Sequence, residues 1–92
     1  MSIPVSKLAR LSLLIQRIVD EEVLYAVEGE TLLTQTESAR LSLVEGDAEG
    51  ARRHIEQVAL FTEALVHSDV LDQANGRLVL ETARRLLAED SD

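Results

Sequence analysis

The side chains able to do chemistry in this chain begin with its two histidines, His54 and His67. Glu63 and His67 stand at i, i+4, so on a helix they share one strip with Glu56 and Leu60. A carboxylate and an imidazole so placed offer two ligands to zinc or iron, and Glu22 and Tyr25 could add distant ones. A site of the ferritin kind needs Glu-x-x-His on two helices and two further glutamates. That motif does not occur here. The plainer alternative is a solvated helix face, with His67 near a helix C-terminus where its cationic form is favoured.

The other chemical classes have weaker support. No cysteine is present, which removes disulfides, thiol nucleophiles and thiolate metal sites. Seven serines are spread along the chain with no strand–turn–helix elbow to activate one. Gly46 and Gly50 are not followed by the Lys-Ser/Thr of a phosphate loop. Arg52-Arg53-His54 is basic but bracketed by Glu49 and Glu56, the pattern of a salt-bridged face, with a docking patch for an acidic partner as the alternative. The expectation is therefore a non-enzyme with no catalytic residue, no cofactor and no resident metal.

Ninety-two residues with 46% apolar content make one small globular domain, and only Tyr25 and Phe61 are aromatic, so the core is aliphatic. The net charge is −8, which repels nucleic-acid phosphates and anionic lipid headgroups. It is unevenly spread. Residues 1–19 carry Lys7, Arg10 and Arg17 and no acid; residues 20–49 carry nine acids against Arg40. A basic start can pair with an acidic middle, within one chain or between two. Eight arginines to one lysine point to a GC-rich bacterial genome. After Arg10 the apolar run lasts five residues, too short for a signal sequence or a membrane span, so a cytoplasmic location is expected, with no membrane contact.

Apolar spacing predicts an all-α fold, an antiparallel three- to four-helix bundle with a long apolar first helix. That helix covers about 4–28, with Leu8, Leu11, Ile15 and Ile18 as its inner stripe. Val23-Leu24-Tyr25-Ala26-Val27 surrounds a helix on every side, so the helix is either buried on several sides or breaks near Asp20. With no glycine or proline to mark a break, one continuous helix is expected, stopped by Gly29. The second helix, about 31–45, starts at Thr34 or Thr31 as N-cap and stops at Gly46. Asp47 caps the third, 48–67, whose stripe is Ala51, Ile55, Val58, Thr62 and Leu65. Asp72, with Ser68 as the alternative, caps the fourth, 73–89, with Gly76, Val79, Ala83 and Leu86 inside. Gly76 costs about 1 kcal/mol against alanine in a helix, which close helix approach would offset.

Leu32-Leu33, Ala39, Leu43, Gly46-Asp47, Ala51, Ile55, Phe61, Val66, Leu71, Gly76, Val79, Ala83 and Leu86 together resemble the FIMAH domain, over roughly residues 29–88. That domain is a small helical accessory module attached to bacterial secreted enzymes and surface proteins. The resemblance implies a helical bundle used for attachment or recognition, with no catalytic residues to carry over. The chain departs from it in its longer, more apolar first helix, and it is expected to stand alone, with neither a signal peptide nor an enzyme domain.

Three functional readings follow. The first is a non-catalytic interaction or adaptor protein that self-associates, as a homodimer or higher homo-oligomer, through its first helix. Eleven of the seventeen residues 11–27 are apolar, more than a helix packed on one side can hide; Leu11, Leu14, Ile18, Leu24 and Tyr25 are its candidate interface. The second is a small acidic regulator, such as an antitoxin, immunity protein or chaperone, covering a basic or amphipathic protein partner. The third is an oligomeric bundle binding metal through carboxylates of several chains.

Overall fold

The computed structural model describes residues 3–21 and 26–90. Four helices follow one another: α1 (Val5–Asp20), α2 (Ala26–Val44), α3 (Ala48–His67) and α4 (Gln73–Asp90). Each packs on the next, and α1 also meets α4. Short connections make successive helices antiparallel. The result is an all-α, four-cornered bundle with α1 diagonal to α3 and α2 diagonal to α4. Among the described residues no strand occurs, and no helix is long and apolar enough to cross a membrane.

One apolar stripe per helix builds the core. Leu8, Leu11, Ile15 and Ile18 of α1 are buried, as are Ala51, Ile55, Val58 and Leu65 of α3 and Val79, Ala83 and Leu86 of α4. Fully burying such a branched aliphatic side chain contributes about 1.5–3 kcal/mol. Two polar residues buried among the described ones are satisfied locally: Thr36 donates its hydroxyl to the Leu32 carbonyl at 2.8 Å, and Thr62 to that of Val58 at 2.7 Å.

The connections explain the remaining boundaries. Gly46 sits at φ 81° after α2, where its N–H reaches the Leu43 carbonyl and that of Asp47 reaches the Ser42 carbonyl. This paired closure of a helix end suits glycine because no Cβ opposes the left-handed backbone. Asp47 then accepts the Gly50 N–H at 2.8 Å and starts α3. The end of α3 repeats the motif with Asp69 at φ 60°, its N–H on Val66 and that of Val70 on Leu65. Asp72 caps α4 by accepting the Asn75 N–H at 3.0 Å.

The first helix is shorter than its pattern suggests. It ends at Asp20, with the Glu21 N–H closing on the Arg17 carbonyl at 2.9 Å. The second helix starts at Ala26, so Gly29 lies inside α2 instead of ending α1, and neither Thr31 nor Thr34 is its N-cap. Thr31 spends its hydroxyl on the Val27 carbonyl. The cause is packing: Gly29 is buried against Val19, where a side chain would not fit, and it lets α2 return close beside α1. Gly76 plays the same part in α4, lying against Val66 of α3.

Candidate functional site

Glu63 and His54 are turned to structural use, His67 is exposed at the end of α3, and Glu22 and Tyr25 lie outside the described residues. Glu63 receives the Arg84 guanidinium at 2.8 Å, tying α3 to α4. The Nδ1 of His54 lies 2.8 Å from the Gln35 Oε1, a link between α3 and α2. Among the described residues no three His, Asp or Glu side chains are grouped so as to hold a metal ion. Arg52 pairs with Glu56 at 3.9 Å and donates to the Leu87 carbonyl at 3.0 Å, so this part of the basic cluster binds its own bundle.

The five candidate interface residues separate into three groups. Leu11 and Ile18 are 0% and 1% exposed and belong to the core, so a second chain cannot touch them without opening the bundle. Leu14 is half-buried on the outer side of α1. Leu24 and Tyr25 lie outside the described residues. Within Val5–Asp20 the bundle itself buries Leu11, Ile15 and Ile18 and part of Leu14 and Val19. The correction follows from geometry: with helices on two sides, α1 hides a wider arc than one packed on a single side.

What α1 leaves open shares Leu14 with the candidate set and adds others. A groove of about 420 Å³ runs between α1 and α4, floored by Leu14, Leu78 and Leu86 and flanked by Lys7, Arg10, Arg17 and Arg85. Glu89 is its one carboxylate, and Lys7 pairs with it. Leu13, 70% exposed, stands on the neighbouring ridge, in a shallower recess with Arg10 and Arg17. Among the described residues Arg10 and Arg85 have no carboxylate partner. Four of the chain's nine bases therefore border one apolar groove, in a molecule of net charge −8.

No family model, curated protein or solved structure matches the chain.

The second unusual surface is the outer face of α2. Glu30, Leu33, Thr34, Glu37 and Ser38 border a shallow depression there. Val27 and Val44 are 71% and 67% exposed, and Leu41 is also exposed. This helix is apolar on two sides, since Leu32 and Ala39 face the core. Glu37 is held by Arg40 through two hydrogen bonds, and this guanidinium keeps its carboxyl below the usual carboxylate range. Sequence reasoning missed Leu13, Leu78 and Arg85. The available signal was Leu13 lying off the inner stripe of α1, with Arg10 and Arg17 beside it seven residues apart.

Proposed function

We propose that this chain is a non-catalytic helical interaction protein that self-associates through the outward side of α1. The observation supporting this most is the α1–α4 groove: an apolar floor bordered by four cations, beside the exposed Leu13. Scattered surface leucines need no explanation, but an apolar groove with a charged rim has the composition of a docking site. The resemblance to the FIMAH domain favours the same class, a helical module for attachment or recognition. Bound groups and a reaction play no part in this reading.

The chain's lack of cysteine makes a direct test simple. Leu13→Cys supplies its single thiol. Under mild oxidation this variant should form a disulfide dimer quickly, because α1 of one copy meets α1 of another. Leu60→Cys, exposed on the diagonal helix α3, is the control and should cross-link slowly. Equal, slow rates for both variants would contradict the proposal.

A further inference from the structure

The groove and the α2 face that carries Glu30 and Glu37 are opposite in charge, and this complementarity is the ground for a second copy of this chain as the partner. It rests on the self-association reading above and adds which surfaces meet. Gly29 marks the side of α2 turned toward α1, and Gln35 the side turned toward α3. At about 100° per residue, Glu30 and Glu37 lie on the α1 side. The outer face of α1 is thus bordered by a basic groove on its α4 side and by an acidic ridge on its α2 side.

The levels along the bundle also agree. Gly29 lies beside Val19, so these residues share a height in the antiparallel pair. Arg17 is two residues below Val19, and Glu30 is one below Gly29. Arg10 is nine below, and Glu37 eight. Each basic residue therefore stands within one residue's rise, about 1.5 Å, of its acidic counterpart on the other side of α1. Both pairs are also seven residues apart, about two helical turns.

We infer that two copies pair about a two-fold axis parallel to the helices, with α1 against α1 and the basic groove of each chain facing the α2 ridge of the other. Such an axis puts the left side of one face opposite the right side of its partner at equal height, so Arg17, which also pairs with Glu21, meets Glu30, and Arg10 joins Arg40 at Glu37, twice over. A two-fold axis running across the helices would set base against base and acid against acid. Charge therefore selects the parallel arrangement. Leu13 of the two chains lies at the centre, where the exposed Ala9 allows close approach.

A charge exchange followed by sedimentation velocity tests this. Arg10, Arg17, Glu30 and Glu37 are not buried, so replacing them leaves the core intact. The groove variant (Arg10→Glu with Arg17→Glu) and the ridge variant (Glu30→Arg with Glu37→Arg) should each be monomeric alone. Mixed in equal amounts, they should form a heterodimer, since each supplies the charges the other lacks. The milder variants, Arg10→Gln with Arg17→Gln and Glu30→Gln with Glu37→Gln, should each weaken the wild-type dimer by about tenfold or more. A wild-type dimer that survives the ridge changes but not the groove changes would overturn the pairing while leaving self-association standing. A mixture that stays monomeric also overturns it. A wild-type chain that never dimerises removes the underlying reading as well.

Discussion

Gly29 of α2 rests directly on Val19 of α1, and a Cβ at residue 29 would collide with the Val19 Cγ2. This contact sets the spacing and relative height of the two helices that border the proposed interface. An exposed helical glycine replaced by alanine gains about 1 kcal/mol. Here the gain is outweighed, because valine is stiff at χ1 and overpacking a close helix contact costs about 1–3 kcal/mol. Gly29→Ala should lower the urea midpoint, and adding Val19→Ala should recover part of the loss. A double-mutant cycle showing no coupling would disprove the contact.

The connection between α2 and α3 depends on the Asp47 carboxylate. Asp47→Ala removes the acceptor for the Gly50 N–H and should cost about 0.5–2 kcal/mol of unfolding free energy. Asp47→Asn and Asp47→Ser, which also cap well, should lose much less.

Asp69 holds the left-handed position that ends α3, where a glycine would be unstrained. Asp69→Gly should therefore raise stability, by about 0.5–1 kcal/mol at most, since aspartate tolerates this conformation better than other side chains do. Gly46→Ala, in the equivalent position after α2, should change stability in the opposite direction. Thermal unfolding of the two variants checks the pair.

Two exposed carboxylates carry a pH dependence. The Asn75 side-chain amide, then the Asn75 backbone N–H, lower the pKa of Asp72; the Arg40 guanidinium lowers that of Glu37. A group whose pKa is lower folded than unfolded contributes stability above its unfolded value. That contribution is lost as pH falls through the folded value. Stability from these two sites should therefore be constant around neutrality and decline below the ordinary carboxylate range. Asp72→Asn keeps an N-cap but not the charge, so its urea midpoint should fall less steeply with acid than that of the wild type.

The inner stripes of α1, α3 and α4 were legible because aliphatic residues at 3.6-residue spacing leave little choice of face. Asp47 is equally clear, and Asp72 is preferred over Ser68, because the main use of an aspartate at a helix start is to accept backbone N–H groups. Gly29 misled because a glycine can end a helix or admit a neighbour, and only the packing distinguishes the two. Gly76, in the first turn of α4, reads as a site of close helix approach, and it lies against Val66 of α3. The docking surface was obscure for a different reason. Counting apolar residues along 11–27 does not reveal that α2 and α4 cover two sides of α1, although the stripe itself sets Leu11 inward and Leu13 off it. The groove draws Leu78 and Arg85 from α4, a helix distant in sequence, so periodicity within α1 could not indicate it.

Leu11 and Leu13, two residues apart, should respond oppositely to charge. Leu11→Glu buries a carboxylate in the aliphatic core and should unfold the chain. Leu13→Glu should leave the unfolding midpoint of the monomer nearly unchanged while abolishing self-association. Circular dichroism of both variants distinguishes a core position from a surface one.

Sedimentation equilibrium of the wild-type chain at high micromolar concentration tests the central claim most directly. The account predicts a mass approaching twice the 10.2 kDa of one chain, falling toward that value on dilution and remaining there at every concentration for Leu13→Glu. A wild-type mass of 10.2 kDa throughout the range would contradict it.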